Sequence, residues 1–298
     1  MQAIPELYAA GRAAGRALVS FEFFTPKTEE GDRVWLAKTL PALLRLKPAF
    51  CSVTYGAGGS TRDKTLGMVE RIQRDFSTPG MAHLTCVGAT RQEIVALLAE
   101  ARTRGIRNIL ALRGDPLAGT NAFVRPEGGF EFAHELVTVT REQGGFSIGV
   151  AGFPEGHPEC QAGRQVDWQR LKAKIDCGAH FVITQLFFDN RWFYEFRDFL
   201  TARLGVTVPI VPGVIPILNA GQIRRFVALC GATLPTTLQA DLAKFGDDEA
   251  AATEFGIEYA TQQCADLLRQ GVPGLHFYTL NRVHSTTRIL QNLGLAPA

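Results

Sequence analysis

One acidic residue in this sequence lies inside an apolar segment, where a carboxylate has no evident structural role. Glu22 is surrounded by phenylalanines in the run VSFEFF, residues 19–24. Burial of a carboxyl group disfavours its charged form and so raises its pKa. A carboxyl that keeps its proton near neutral pH can serve as a general acid. We therefore interpret Glu22 as a candidate general acid, with a buried ion pair to a lysine or arginine as the alternative.

A second candidate carboxylate follows another apolar run, in the sequence LRGDP at residues 112–116. Gly114 permits a sharp turn and Pro116 restricts the chain that leaves it, so the pair would hold Asp115 rigidly. The alternative is structural, because an aspartate before a proline commonly starts a turn.

Two histidines and an amide extend the set of candidates. His83 lies in the apolar run 81–87, where a histidine is more often a core residue than a ligand, whereas His157 lies in the loop-like sequence FPEGHPE at residues 153–159. Gln185 ends an apolar run, and its amide can donate and accept at once, which suits the edge of a planar heterocycle. The six histidines form no metal-binding spacing, so we expect no metal site.

Two further segments have open interpretations. Asp167, Arg170, Lys172 and Lys174 share one amphipathic segment, and their spacing alone favours an ordinary solvated helix face. The glycine-rich sequence YGAGGS at residues 55–60 matches neither the dinucleotide nor the P-loop fingerprint, so it is either a flexible turn or a weak phosphate-binding loop.

The elements that must position these residues are short apolar runs separated by longer segments of helical periodicity. Most of the runs lack strict alternation, which is typical of strands buried on both faces. Eight of them, each followed by a helical segment, predict a single (β/α)8 barrel with extra helices. The runner-up is a doubly wound open sheet, which would normally carry a glycine fingerprint. The predicted strands cover residues 19–24, 50–54, 81–87, 108–112, 147–151, 181–186, 210–214 and 275–279.

Barrel enzymes build their sites at the C-terminal ends of the strands. Seven of the eight predicted strands deliver a polar residue to that rim, which is difficult to attribute to chance. These residues are Glu22, Thr54, His83, Arg113 with Asp115, His157, Gln185 and Tyr278. Together they favour acid-assisted chemistry on a planar heterocyclic ligand, without naming the reaction.

The helical segments carry three more expectations. Pro41 should kink or break the helix predicted over residues 28–46, because proline lacks the N–H that the helix requires. The long interval 234–270 should hold extra helices, and residues 1–18 should form a short leading helix.

Composition narrows the class of protein. The chain has 298 residues, 46% of them hydrophobic, and its 31 Lys and Arg against 29 Asp and Glu leave a formal charge of +2. Mixed charge without a basic block makes nucleic acid and membranes poor candidates for partners. Six scattered cysteines without a C-x-x-C pair suit a reducing compartment, so we expect a cytoplasmic protein. Length alone suggests about two domains, but the eight predicted strands favour one catalytic domain over residues 1–298.

Seven motifs in this order resemble the methylenetetrahydrofolate reductases, in the bacterial form that has only the catalytic domain. They extend over nearly the whole chain and read VSFEFF (19–24), SVTYGA (52–57), HLTC (83–86), LRGD (112–115), PEGHPE (154–159), ITQ (183–185) and HFYTLNR (276–282).

The resemblance implies a (β/α)8 flavoprotein that reduces 5,10-methylenetetrahydrofolate to 5-methyltetrahydrofolate, the form used in methionine synthesis. NADH or NADPH would reduce FAD at flavin N5 and leave, and the folate would then take the hydride at the same face. Glu22 would protonate folate N10, and Asp115 would stabilise the resulting cation and tune the flavin. A homo-oligomer is usual in this family.

The resemblance also assigns binding residues. The positions that match FAD-binding residues are Thr54, Tyr55, Ala57, His83, Arg113, Gly114, Asp115, Ala133, Phe153, His157, Asp167, Arg170 and Lys174. The positions that match substrate-binding residues are Gln185, Gln222, Phe226, Tyr278 and Arg282.

The chain departs from its relatives at some of these positions. Phe153 and Phe132 replace aromatic residues that carry a hydroxyl, and Ala173 replaces a basic residue. Stacking would survive these changes, whereas hydrogen bonds from the hydroxyls would not.

Two other functions are compatible with much of this pattern. A barrel methyltransferase that binds methyltetrahydrofolate would need no flavin. A non-catalytic subunit that binds folate or a partner flavoprotein would have no need of a buried acid.

Overall fold

The computed structural model describes residues 1–56, 62–115 and 123–297. The predicted cofactor residue Ala57 lies outside these ranges.

Short parallel strands form one sheet in the order β7-β6-β5-β4-β3-β2-β1-β9-β8. The strands are β1 Leu18–Phe23, β2 Phe50–Val53, β3 Gly80–Thr85, β4 Asn108–Leu112, β5 Ser147–Gly152, β6 Phe181–Thr184, β7 Ile210–Val211, β8 Gly213–Val214 and β9 Gly274–Tyr278.

The predicted strand over residues 210–214 is divided in two, because Pro212 cannot donate to a strand ladder. Its first half, β7, pairs with β6, and its second half, β8, pairs with β9. The carbonyl of Pro212 accepts a hydrogen bond from the N–H of His276 at 3.0 Å. The chain through Pro212 therefore joins the two ends of the sheet and closes the predicted (β/α)8 barrel.

The helices follow the strands as expected for this barrel. They are α1 Ile4–Ala13, α2 Glu29–Val34, α3 Leu40–Leu44, α4 Arg62–Phe76, α5 Arg91–Thr103, α6 Ala133–Gln143, α7 Arg164–Asp176, α8 Asn190–Asp198, α9 Ala220–Cys230, α10 Thr236–Ala243, α11 Glu249–Arg269 and α12 Val283–Asn292. Helices α10 and α11 fill the interval 234–270 and confirm the extra helices predicted there.

The predicted break at Pro41 is absent, because the helical segment continues through the proline. A π-helical turn over Trp35–Thr39 lies between α2 and α3, and Pro41 occupies the start of α3. A π-helical turn changes the hydrogen-bond pattern just before the position where the missing N–H would otherwise disrupt it.

Two apolar layers hold the barrel together. The larger lies between the sheet and the outer helices and includes Phe21, Phe23, Trp168 and Phe277, all buried. The smaller fills the lower barrel interior with Phe50, Met81, Leu110, Phe181, Ile183 and Val211.

The predicted leading helix closes the bottom of the barrel. Ile4 and Tyr8 of α1 belong to the interior cluster, and the Tyr8 ring lies 6.2 Å from Phe50 and 6.4 Å from Phe181. Asn108 at the start of β4 accepts a hydrogen bond from the N–H of Ile4 at 3.1 Å. Helix α1 thus covers the lower end of the barrel, opposite the C-terminal ends of the strands.

Candidate active site

A cleft of about 710 Å³ lies at the C-terminal end of the barrel, within the size range of small-molecule sites. Eleven of the residues predicted to bind cofactor or substrate line it. They are Tyr55, Arg113, Gly114, Asp115, Ala133, Phe153, His157, Asp167, Arg170, Lys174 and Gln185. The structure thus brings together residues from six separate segments of the chain.

The turn after β4 forms one wall of the cleft. Gly114 has φ +89°, and a Cβ atom there would lie 2.7 Å from Val87 Cγ1 and 3.0 Å from Thr85 Cβ. Only glycine fits both this backbone conformation and this close packing. The turn leaves Asp115 exposed at the edge of the cleft.

Arg113 connects the two loops that border the cleft. Its guanidinium donates two hydrogen bonds of 2.7 Å to the Glu159 carboxylate and lies 5.2 Å from the centre of the Phe123 ring. The hydrogen bonds to Glu159 raise the pKa of Arg113, and the same contact lowers the pKa of Glu159. Arg113 therefore stays positively charged while it makes these contacts.

The loop after β5 is ordered by short polar contacts. The N–H of His157 donates to Asp167 Oδ2 at 3.1 Å, and His157 Nδ1 accepts from the N–H of Glu159 at 3.1 Å. An accepting Nδ1 leaves the ring hydrogen of a neutral imidazole on Nε2. Burial lowers the pKa of His157, with Arg113 adding to the effect. The Phe153 ring lies 4.6 Å from the His157 ring in an edge arrangement.

Helix α7 brings both signs of charge to the cleft. Lys174 is half-buried, and its Nζ donates to the carbonyl of Ala151 at 2.9 Å. Burial lowers the pKa of Lys174 to about 8, although the nearby Asp167 opposes the shift. Burial raises the pKa of Asp167. Arg170 is exposed, one helical turn before Lys174. The solvated helix face that spacing favoured is therefore a wall of the cleft.

Glu22 lies inside the barrel and does not line the cleft. Its side chain is almost fully buried, and its Oε2 lies 3.3 Å from His83 Nε2 and 3.6 Å from His276 Nε2. Among the described residues its ion-pair partners are these two imidazoles, so the alternative of a pair with lysine or arginine is wrong. The His83 contact is close, but His83 Nε2 has no aligned hydrogen-bond acceptor in the part of the chain described.

His83 is a core residue and does not line the cleft. It is 6% exposed, and burial lowers its pKa, so the imidazole is neutral near pH 7. Thr85, two residues later on the same face of β3, does line the cleft. His83 and Glu22 therefore lie one layer below the cleft floor.

The predicted substrate residues separate into different environments. Gln185 lines the cleft, and its Oε1 accepts from the N–H of Leu186 at 2.9 Å. Gln222 and Phe226 lie on α9, where Phe226 packs against the cluster of Leu186, Ile215 and Ile223. Arg282 is exposed just before α12.

Tyr278 has a structural contact in addition to its predicted role. Its hydroxyl donates to the carbonyl of Thr184 at 2.5 Å and lies next to Gly213, where a Cβ atom would approach it to 2.6 Å. Burial raises the pKa of Tyr278 well above its usual value. Tyr278 thus links β9 to β6 across the gap that Pro212 leaves.

Thr54 is half-buried at the end of β2, with its Oγ1 accepting from the N–H of Thr25 at 3.3 Å. It lies outside the cleft lining, whereas the next residue, Tyr55, belongs to it.

Sequence reasoning missed Glu159 and His276 as members of the site. Glu159 follows His157 by two residues in the motif PEGHPE, and a carboxylate so near a predicted ligand was the available signal. His276 stands two residues before Tyr278, and residues i and i+2 of a strand face the same side. That periodicity could have placed it inside the barrel.

Residues 1–56, 62–115 and 123–297 contain no group of three or more His, Cys, Asp and Glu side chains arranged to hold a metal ion. No helix in those ranges is long and apolar enough to cross a membrane. The expectation of a cytoplasmic protein stays a prediction.

Solved structures share this fold at low sequence identity. A Clostridium thermocellum protein, described as binding two copies of 5-methyl-5,6,7,8-tetrahydrofolic acid, superposes with a TM-score of 0.63 at 15% identity, over 96% of this chain and 97% of that one. A mutant tryptophan synthase alpha-subunit from Pyrococcus furiosus gives a TM-score of 0.50 at 12% identity, over 93% of this chain and 98% of that one. At these identities the likeness concerns the fold alone.

Proteins with higher sequence identity say more about the family of this chain than the solved structures do. Methylenetetrahydrofolate reductase (NADH) 1 of Arabidopsis thaliana is 41% identical in an alignment of 291 positions that covers 94% of this chain and 49% of the plant protein. The chain therefore spans about half the length of such plant relatives. The 5,10-methylenetetrahydrofolate reductase of Escherichia coli is 37% identical over 283 residues, which are 95% of this chain and 93% of the bacterial protein.

The family profile of methylenetetrahydrofolate reductase matches residues 8–294, almost the whole barrel. The chain belongs to the methylenetetrahydrofolate reductase family, whose members are oxidoreductases of folate-dependent one-carbon metabolism.

Proposed function

We propose that this protein reduces 5,10-methylenetetrahydrofolate to 5-methyltetrahydrofolate with NADH or NADPH as reductant and FAD as bound cofactor. The observation that carries the proposal is the cleft, where eleven residues that match family binding positions meet above a buried glutamate. Family membership supports the reaction class, and the cleft supports the proposed location of the reaction.

The chemistry of the cleft suits FAD. Arg113, Arg170 and Lys174 bring positive charge to a cavity that a diphosphate could enter, and Arg and Lys side chains are the usual phosphate ligands. Gly114 lets the backbone approach a ligand closely, and Tyr55 and Phe153 offer aromatic surface. When bound, FAD would accept hydride from the nicotinamide and deliver it to the folate.

Glu22 is the general acid in this proposal. Its carboxyl would donate a proton to folate N10, so that the five-membered ring opens to a cation that accepts hydride. The almost complete burial of Glu22 keeps bulk water from taking this proton. Because the carboxyl lies below the cleft floor, the folate must enter deeply enough to reach it.

The remaining residues bind and orient in this proposal. Asp115 at the cleft edge would stabilise the cation electrostatically. Gln185 would hydrogen-bond the pterin, and Phe226 would stack on nicotinamide or folate. Gln222, Tyr278 and Arg282 would complete the substrate site, while Thr54, Ala57, His83, Ala133, His157 and Asp167 would contact the cofactor as the family resemblance implies. That resemblance also predicts a homo-oligomer.

Measuring the two half-reactions separately tests the role of Glu22. In a Glu22→Gln variant, reduction of the flavin by NADH should stay within about threefold of wild type, while reoxidation by methylenetetrahydrofolate should fall by more than about a hundredfold. Glu258→Gln, on the exposed face of α11, is the matched control and should alter neither rate. Equal loss of both half-reactions would refute the assigned role.

Flavin binding distinguishes the proposed reductase from the two alternative functions. A methyltransferase barrel or a folate-binding subunit would be purified without a flavin spectrum and would not bind added FAD. Absorbance of the purified protein and titration with FAD distinguish these cases.

A further inference from the structure

The loop after β5 contacts the chain that follows helix α9. Glu155, which lies between the cleft residues Phe153 and His157, accepts the backbone N–H of Thr233 at both carboxylate oxygens, each at 3.0 Å. Thr233 follows the last residue of α9 by three positions. The side chain of Glu155 therefore connects the predicted cofactor loop with the helix that carries two predicted substrate residues.

A second contact joins the same two segments. Gly231 ends α9 in the left-handed conformation, with φ +71°, and a Cβ atom there would lie 3.1 Å from Pro158 Cγ. Pro158 belongs to the same loop as Glu155. The loop thus meets the end of α9 at two points, by hydrogen bonds at one and by close packing at the other.

The turn that carries Glu155 is anchored to the barrel wall. The N–H of Gly156 donates to the carbonyl of Phe153 at 3.0 Å, which closes the turn. The indole N–H of Trp168 on α7 donates to the same carbonyl at 2.9 Å, and Trp168 is fully buried. Glu155 therefore extends from a fixed base.

Helix α9 buries little of its own surface. Of its eleven residues, Ile223 is the one that is fully buried. Phe226 and Val227 pack against the neighbouring apolar cluster while partly exposed, and Leu229 is 74% exposed. Since a helix in a protein is held mainly by packing of its apolar face, the orientation of α9 depends on contacts at its ends.

The two ends of α9 are restrained by different parts of the chain. At the N-terminal end, Asn219 Oδ1 accepts from the N–H of Gln222 at 2.8 Å, and Asn219 Nδ2 donates to Glu249 Oε1 of α11 at 3.0 Å. At the C-terminal end, the hydrogen bonds from Thr233 lead to Glu155. Glu155 therefore restrains the end of α9 that lies towards the cofactor loop.

We propose that Glu155 is a positioning residue that fixes the orientation of α9 by holding the N–H of Thr233. The orientation of α9 in turn sets where Gln222 and Phe226 meet the substrate. The inference rests on the proposed function, in which these two side chains bind nicotinamide or folate. Phe226 lies one helical turn before the end of α9, so a shift of that end displaces its ring directly.

The surrounding charges leave the Glu155 carboxylate for this contact. The nearby cation Arg164 is paired with Glu195 at 2.5 Å. Burial raises the pKa of Glu155, and the hydrogen bonds from Thr233 oppose that shift. A carboxylate accepts a backbone N–H more strongly than a neutral oxygen does, which suits a contact that holds a helix end.

Hydrogen exchange tests the restraint without any activity measurement. In Glu155→Ala, the amides of residues 220–234 should exchange at least about threefold faster than in wild type, because their restraint is lost. The amides of α7 should exchange as in wild type. In Glu155→Gln, a side-chain carbonyl can still accept from Thr233, so the exchange rates should return to within about twofold of wild type.

Kinetics test the effect on substrate. In Glu155→Ala, the methylenetetrahydrofolate concentration that half-saturates flavin reoxidation should rise at least about fivefold, while the limiting rate stays within about twofold. The half-saturating NADH concentration should rise as well, since Phe226 serves both substrates in the proposed function. FAD affinity should change less than twofold, because the turn keeps its hydrogen bonds to Phe153. Glu155→Gln should restore both substrate concentrations.

Glu195→Ala is the matched control, because it removes another carboxylate beside the same loop. Glu195 pairs with Arg164, and Arg164 packs against Gly156. This variant should change neither exchange in residues 220–234 nor the half-saturating concentrations.

Unchanged exchange in Glu155→Ala would overturn the proposal. So would a loss of FAD affinity as large as the loss of folate affinity, or a Glu155→Gln variant as impaired as Glu155→Ala. If folate fails to reoxidise the flavin of the wild-type protein, the proposed function fails instead, and the exchange rates still decide whether Glu155 restrains α9.

Discussion

The amine of Lys174 titrates in an unusual range for a lysine. Burial holds its pKa at about 8, below the 10.5 of an exposed lysine. Between these values the folded protein binds fewer protons than the unfolded chain, so this group adds stability to the cofactor-free protein as pH rises through that window. A bound diphosphate would reverse the preference, because it favours the charged amine.

Cofactor affinity should therefore depend on pH through Lys174. We expect the Kd for FAD to rise several-fold between about pH 7 and about pH 9, as the amine loses its proton. In Lys174→Met the affinity should be roughly tenfold weaker at neutral pH and nearly independent of pH over this range. Fluorescence titration with FAD measures both, and Lys172→Met on the same helix is the control. An equally steep pH dependence in Lys174→Met would show that another group is responsible.

The location of a single residue could be predicted where its position after a strand is enough to place it at the rim of the barrel. Arg113, Asp115 and Gln185 follow buried parallel strands, and such strands all deliver their C-terminal ends to one rim. His276 was missed because a histidine inside an apolar strand gives no sign of which neighbours it meets. Its contacts with Ser20 and Glu22 join strands that are more than two hundred residues apart in the chain. Local sequence does not determine the register between two strands so far apart.

Among the turns, the one after β4 depends most plainly on a glycine. A Cβ at position 114 would meet the side chains of Val87 and Thr85, in addition to the strain of a positive φ. We expect Gly114→Ala to lower the free energy of unfolding by about 2–4 kcal/mol and to weaken FAD binding.

Gly15→Ala separates the two causes. Gly15 has φ +62° and no atom within 4 Å of the added Cβ, so this change should cost only about 1 kcal/mol, for the backbone alone. Urea denaturation of both variants gives the comparison. Equal costs would mean that the contacts with Val87 and Thr85 relax freely.

The closure of the barrel next to Pro212 relies on Tyr278. Tyr278→Phe removes the hydrogen bond to the Thr184 carbonyl, and we expect a loss of about 1–2 kcal/mol in unfolding free energy. FAD affinity should change less than twofold, since Tyr278 does not line the cleft. The apparent KM for folate should rise if the substrate role proposed above is also correct. A stability equal to wild type would show that the closure does not need this bond.

Helices and strands could be predicted where hydrophobic periodicity and the chemistry of single residues indicate the same structure. Eight apolar runs, the Pro41 perturbation and the helices in 234–270 follow from periodicity and from the missing proline N–H. The division of the seventh strand was not foreseen, since residues 210–214 form one continuous apolar run. Strand pairing on both sides of Pro212 is a tertiary property, and the proline showed only where the ladder could not continue.

At the scale of the molecule, helix α1 closes the lower end of the barrel. Tyr8 packs between Phe50 and Phe181, so Tyr8→Ala would open a cavity under the interior layer. We expect a loss of about 3–5 kcal/mol in the free energy of unfolding. Tyr8→Phe should cost at most about 1 kcal/mol, because it keeps the ring and removes only the hydroxyl, which contacts Ser20. Thermal denaturation would contradict this packing role if both variants melted alike.

The molecule's near-neutral charge agrees with local recognition of anionic ligands. A formal charge of +2 gives little long-range attraction for FAD or a folate tail. The cleft instead combines Arg113, Arg170 and Lys174 with Asp115, Glu159 and Asp167. Three cations, of which Arg113 is already paired with Glu159, therefore have to select the ligand.

In the proposed function, one cleft serves both half-reactions of a flavin-dependent folate reductase. Its most direct test is anaerobic mixing of the FAD-loaded protein, first with NADH or NADPH and then with methylenetetrahydrofolate. We expect at least one nicotinamide to bleach the flavin absorbance, and the absorbance to return when the folate is added, with 5-methyltetrahydrofolate formed in equal amount. A protein that binds no flavin, or a reduced flavin that the folate fails to reoxidise, would contradict it.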